Sequence, residues 1–309
     1  MGNKNNNLVA YLYLLGAVML WGGNWVAARY IVQIMSPMVG ATIRVVLSAI
    51  ILLIVLKITT GKTLALQGIK IFIFLGLMLF GFNFLQYSGL TYTTATNGSL
   101  INAATPIIII LLSRIIIKEK LSTIQFLGVL ISFLGVGWVV TKGSWTLISS
   151  LTFNIGDILM FLATICWALY TVYSKKPTME SSAIYVSAYA SLFSSLYFLP
   201  FGIVQYQANP IHTVSWGMVV AMIYIVAVAV FGLVFWIKGV CIIGPSRASI
   251  FMNLMPIFTL IFAFLLLGEM INLNQLIGGV LVIGGVYVTT NPRFASKIPL
   301  INNTQKPLV

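Results

Sequence analysis

Ten separate stretches of this chain are strongly apolar and approach the ~20 residues that a helix needs to cross the hydrocarbon core of a bilayer. They fall near residues 8–33, 38–57, 69–90, 94–113, 123–141, 155–174, 183–204, 216–241, 245–267 and 272–290. A single anchor on a soluble domain is excluded by their number. The 309 residues are 60% hydrophobic and only 7% charged, whereas soluble domains average about 25% charged residues. The predicted fold class is therefore an all-α polytopic membrane protein. The run that starts at Leu8 passes into a Trp/Gly/Asn/Arg segment with no small-residue cleavage site, so it is read as a retained first span. The Asn-rich start and the tail at 291–309, with Pro292, Pro299 and Pro307, are expected to be disordered or to lie on the surface.

A net charge of +13 would suggest nucleic acid in a soluble protein, but here the basic residues sit mostly in the gaps between apolar runs. They report topology. With both termini in the cytoplasm, Lys4, Lys57, Lys62, Lys70, Arg114, Lys118, Lys120, Lys175, Lys176, Arg293, Lys297 and Lys306 fall inside, and Lys142 alone falls in an outside loop. Arg29, Arg44, Lys238 and Arg247 are left within spans, where long basic side chains either snorkel to a headgroup or face a cavity. Cys166, Cys241 and the single His212 offer no metal-ligand spacing and no disulfide framework.

Sliding the chain against itself reveals a repeat. GLTYTTATNGSLINAATP, ending at Pro106, aligns without gaps to GVCIIGPSRASIFMNLMP, ending at Pro256. At the same offset of 150, Glu119 meets Glu269, Gln125 meets Gln275, Gly128 meets Gly278 and Gly135 meets Gly285. Earlier in each half Trp21 meets Trp167 at an offset of 146. Residues 8–142 and 153–290 thus form two five-helix repeats, and an odd number of spans per repeat inverts the second relative to the first.

The same residues resemble the drug/metabolite transporter superfamily, specifically its ten-helix EamA-type exporters. WGGNW at Trp21 to Trp25 is similar to the family's first-helix pattern. The family's fourth-helix pattern of Gly, small residues, Pro and then Glu occurs twice, through Gly89, Pro106 and Glu119 and through Gly239, Pro256 and Glu269. One departure is WALYTVYSKK, which stands where the second repeat would match the more glycine-rich WGGNWVAARY. The resemblance implies a cofactor-free exporter of amino acids or similar amphiphilic metabolites in the cell membrane. Its partners would be a small-molecule substrate and the lipid bilayer, with a homodimer left open.

Inverted repeats place a substrate near the bilayer midplane between the two halves. Candidates are mid-span polar and aromatic residues: Trp21 and Asn24; Asn83, Gln86 and Tyr87; Asn97, Asn102 and Thr105; Trp167 and Tyr170; and a stripe of Ser246, Ser249 and Asn253. Against this stands their use as interhelical hydrogen-bonding glue. Arg44 and Arg247 lie several residues inside their spans and are candidates for meeting a carboxylate or phosphate. For Arg247, Gly244-Pro245 would start a helix whose dipole already favours an anion. Asp157 is the one candidate for proton coupling, set against a plain interfacial role, and Glu119 and Glu269 are expected to be helix-end structure. Gly128, Ser132, Gly135, Gly278, Gly279, Gly284 and Gly285 are expected to allow close helix approach. Neither a phosphate-binding Gly loop with Lys nor HExxH or GxSxG is present, so ATP-driven transport and hydrolysis lack their residues. Quaternary-ammonium efflux and a channel are the competing readings.

Overall fold

A computed structural model of the chain describes residues 2–61, 68–93, 101–119, 122–149, 154–211, 214–267 and 270–291. In hydrocarbon no water is present to satisfy backbone N–H and C=O groups, so apolar runs of this length close their hydrogen bonds as helices. In chain order these are α1 (Gly2–Ile34), α2 (Pro37–Thr60), α3 (Ile69–Leu90), α4 (Thr105–Ile116), α5 (Thr123–Val140), a short α6 (Trp145–Ser149), α7 (Ile155–Glu180), α8 (Ala183–Ala208), α9 (Trp216–Ile243), α10 (Pro245–Ser249), a 3-10 segment (Ile250–Leu254), α11 (Met255–Leu267) and α12 (Leu273–Thr290). Among the described residues, eight helical segments are long and apolar enough to cross a membrane. With α1 and the shorter apolar helix Ile101–Ile116 they make ten spans. Leu134, Ile115 and Val280 are largely exposed, as lipid-facing residues must be, while Trp145 and Trp216 stand exposed at helix ends where indoles anchor a bilayer interface.

The ends of the helices are set by side chains that recur at the repeat offset. Ser122 and Gln125 form a reciprocal capping box at the start of α5, and Asn272 and Gln275 form its counterpart at the start of α12. Ser182 accepts the Tyr185 N–H at the start of α8, while its mate Ser36 takes the equivalent position of α2 with no side-chain bond.

Packing shows the inversion directly. A Cβ placed on Gly128 would lie 2.9 Å from the carbonyl oxygen of Gly285, and one on Gly135 would lie 2.8 Å from that of Gly278. The repeat exchanges Gly128 with Gly278 and Gly135 with Gly285, so it carries each contact into the other. Early residues of α5 meet late residues of α12. These two helices therefore cross antiparallel on a pseudo-two-fold axis. The same operation relates the packing of α1 on α9 to that of α7 on α3, and it lets α2 and α8 pack on each other.

Four expectations need correction. Gly279 and Gly284 have open space where a Cβ would stand, so only Gly278 and Gly285 of that group face α5. The ninth span is not one helix: the chain winds as α10, tightens into the 3-10 segment and resumes as α11. The Asn-rich start is helical from Gly2, because α1 carries its backbone bonding outward past the apolar run. Finally, α7 continues to Glu180, putting Lys175 and Lys176 on a helix, where Lys176 reaches the exposed Glu180 at 3.9 Å. Residues 292–309, the expected disordered tail, lie outside those described.

Gly285→Ala should lower stability by about 1–3 kcal/mol, because its methyl meets backbone that cannot yield. Gly284→Ala should be neutral or slightly stabilising. Thermal unfolding of the two variants in detergent measures the difference.

Candidate functional site

Where the two repeats face each other they enclose a cavity of about 570 Å³. Its deepest wall is aromatic. The rings of Trp21 and Trp167, which are repeat mates, meet edge to face with centroids 5.4 Å apart, and Trp236 lies 5.6 Å from the first and 5.9 Å from the second. Gly232 makes this possible, since a Cβ there would come within 2.5 Å of the Trp21 indole nitrogen. Trp167 donates its indole N–H to the Met252 sulfur at 3.3 Å and packs on Phe82 at 5.0 Å.

From this wall the cavity runs towards the face that carries the C-terminal end of α5 and the N-terminal end of α12, where Lys142 and Gln275 line it. Arg44 and Asn83 sit between, each seven residues, or about 10 Å along the helix, from that face. The Arg44 Nη2 donates to Asn83 Oδ1 at 2.5 Å, and Asn83 is oriented by donating its own amide to the Leu79 carbonyl at 2.8 Å. The guanidinium carbon stands 5.9 Å from the centroid of the Tyr87 ring. Two polar atoms of the wall are buried without a partner, Arg44 Nε and Asn24 Oδ1.

The opposite end is closed. Gln125 donates to the Thr289 carbonyl at 2.9 Å while the Thr289 hydroxyl donates back to the Gln125 carbonyl at 3.1 Å, latching α5 to α12. The repeat mates of this pair, Gln275 and Val139, line the open end, where valine has no hydroxyl to complete the latch. Tyr11 adds a ring contact to Phe251 at 5.5 Å and donates to the Thr290 carbonyl at 2.9 Å.

Among the expected residues, Trp21, Asn24, Arg44, Asn83, Gln86, Asn102, Trp167 and Asn253 all line this cavity. Tyr87 instead backs Arg44, and Tyr170 is fully buried behind Trp167, 5.5 Å from its ring. Asn97 lies outside the described residues, as do His212 and Glu269. Arg247 does not line the cavity. The helix N-terminus beside it is already occupied, for Glu119 accepts the Ser246 N–H at 3.3 Å and the Ser246 hydroxyl at 3.0 Å. The Ser246–Ser249–Asn253 stripe is broken by the change of winding: Ser249 donates to the Ser246 carbonyl, and only Asn253 reaches the cavity, donating to Ser132 at 3.0 Å. Thr105 turns back onto the Asn102 carbonyl. Asp157 is a capping residue, bonded to the Asn154 N–H and to Thr93. Lys238 lies over the Tyr13 ring at 5.0 Å, while the side chain of Arg29 is outside those described.

The wall also includes Phe82, Ser48, Ser191 and Thr259. Phe82 shares a helix face with Gln86, four residues on, which is the signal that would have found it. Ser48 lies likewise one turn beyond Arg44.

Two inverted repeats around one interhelical chamber define a polytopic membrane protein built to enclose a small molecule. The chain belongs to the EamA-like transporter family, whose model matches residues 8–141 and again 154–291. It is 31% identical to the uncharacterized transporter YyaM of Bacillus subtilis over 98% of this chain and 99% of that one. An uncharacterized transporter of Archaeoglobus fulgidus is 29% identical over 92% and 98% of the two chains. A protein of known crystal structure superposes with a TM-score of 0.79 over 93% of this chain and 97% of its own, at 16% identity, a likeness of fold alone. The chain is a multi-pass membrane transporter.

Asn83→Leu, which installs the residue of the repeat mate Leu233, should destabilise the protein by about 1–3 kcal/mol, because Arg44 then loses an acceptor inside the wall. A double-mutant cycle with Arg44→Gln, read by thermal unfolding, should recover part of that loss.

Proposed function

We propose that this chain is a secondary transporter that works by alternating access and moves amino acids or related amphiphilic compounds out of the cell. It would sit in the plasma membrane with both termini in the cytoplasm, as the basic residues argue. The export direction follows from the family resemblance. One observation carries the mechanism: the cavity reaches from one face to the Trp21–Trp167 pair on the pseudo-two-fold and ends there. A pore would continue. In an inverted repeat, exchanging the conformations of the halves turns an outward-open chamber into an inward-open one around a fixed midplane site.

The exchange also names the residues that change roles. Asn83, Gln86 and Tyr87 on α3 correspond to Leu233, Trp236 and Ile237 on α9, so the open side is polar while the closed side is an apolar plug. Asn24 corresponds to Tyr170, and each holds a buried polar atom without a partner, Oδ1 in one and the phenol oxygen in the other. Asn24 would serve the ligand in the outward-open state and Tyr170 in the inward-open state.

Purified protein in liposomes should show counterflow of a labelled substrate without ATP, and a strict requirement for ATP would defeat the reading. Tyr170→Phe should slow exchange by about tenfold, the size of one lost hydrogen bond, while outward-side binding is retained. Thiol labelling of Gln207→Cys and Thr60→Cys should find them on opposite sides of intact cells, outside and inside respectively. Labelling of both from one side would sink the topology.

A further inference from the structure

Within the transporter reading, on which this inference rests, the cavity's charge is not balanced. Arg44 projects into the middle of the open side and Lys142 stands at its mouth, and no Asp or Glu lines the cavity among the described residues. Three carboxylates are accounted for elsewhere. Glu119 caps α10, Asp157 caps α7, and Glu180 is exposed beside Lys176. Glu269 lies outside the described residues; its repeat mate Glu119 is the one that caps a helix.

Arg44 is held as a charge to be read. Asn83 takes one of its N–H groups and Tyr87 backs the plane, but both of these partners are neutral, and Nε has none. A guanidinium bonded through Nη2 to an amide keeps its other terminal N–H groups for the oxygens of a carboxylate. Arg44 stands about 10 Å from the face, inside the low-dielectric span. A cation in that position costs free energy until an anion joins it. The neighbouring wall is aromatic, with Trp21, Phe82 and Trp167 in the cavity lining.

We propose that the substrate is a net-anionic amphiphile, in which a carboxylate meets Arg44 and an aromatic or branched apolar body rests against the Trp21–Trp167 wall. Amines without a carboxylate, quaternary ammonium compounds among them, are excluded by like charge, since the described wall offers no counter-charge. Lys142, exposed at the mouth, draws the anion in and acts on rate. Arg44 acts on affinity. The repeat mate of Arg44 is Ala190, so the charge contact has no counterpart in the second repeat.

The test is a series that varies charge on one skeleton: 3-phenylpropionate, 3-phenylpropionamide, 3-phenylpropylamine and phenylalanine. Binding is read from tryptophan fluorescence of the purified protein, and exchange from counterflow in liposomes. The acid should bind and exchange at least about tenfold better than the amide, the zwitterion should fall between them, and the amine should do neither. Arg44→Gln should remove the preference of acid over amide. Arg44→Lys, which keeps the charge but loses the fork, should restore it in part. Lys142→Gln should slow acid uptake at low salt and match the wild type at high salt. Amide binding equal to acid binding in the wild type, or a preference that survives Arg44→Gln, would overturn the proposal. Exchange of the amine alone would also overturn it and would leave the transporter reading standing. Exchange of no small molecule, with or without charge, would overturn both.

Discussion

Helices surrounded by lipid gain nothing by hiding apolar surface from water, so what holds them together is close packing and the few hydrogen bonds that packing permits. Here the closest approach is that of α5 and α12, whose backbones meet through Gly128 and Gly285 at one end and Gly135 and Gly278 at the other. Because the repeat exchanges these two contacts, the crossing lies on the pseudo-two-fold axis and fixes how the halves face one another. Everything in the cavity is placed by that relation. The Trp21–Trp167 pair lies on the same axis, and the packing of α1 on α9 and of α7 on α3 sets its position from both sides.

A perfect two-fold would make both ends of the molecule alike, and side chains break it. Gln125 and Thr289 latch one end of the α5–α12 pair with two hydrogen bonds, whereas Gln275 and Val139 at the other end are left lining the opening. The polar face of α3 is matched by an apolar face of α9 carrying Leu233, Trp236 and Ile237. One end is thus held closed by hydrogen bonds, and the other opens into the cavity. The two repeats share a backbone plan but divide the chemistry between them, which gives the two sides of the membrane different gates.

Much of this was legible in the amino-acid order because repeat alignment and hydropathy report different things and agree. Trp21 and Trp167 stood out as mates, and mates that meet must do so on the axis. Arg44 and Asn83 stood out as polar residues inside apolar runs, but that they bond each other follows only from how α2 and α3 lean together. The break in the ninth span was invisible to hydropathy, which still registers a span at Pro245–Phe262 and does not sense winding. Gly278 and Gly279 are neighbours of identical composition, and only the rotation of α12 decides which one meets α5. The dipole argument for an anion at the helix start beside Arg247 was sound, but the anion is Glu119, delivered by a loop more than a hundred residues earlier.

The central claim is that one chamber opens by turns to either side as the halves exchange conformations. Spin labels at two exposed positions flanking the open end, Tyr92 after α3 and Met270 before α12, would report it most directly through their distance distribution in lipid. The distribution should hold two populations, with a transported ligand moving weight from the longer to the shorter. A single distance that stays fixed while the same preparation carries out exchange would contradict it.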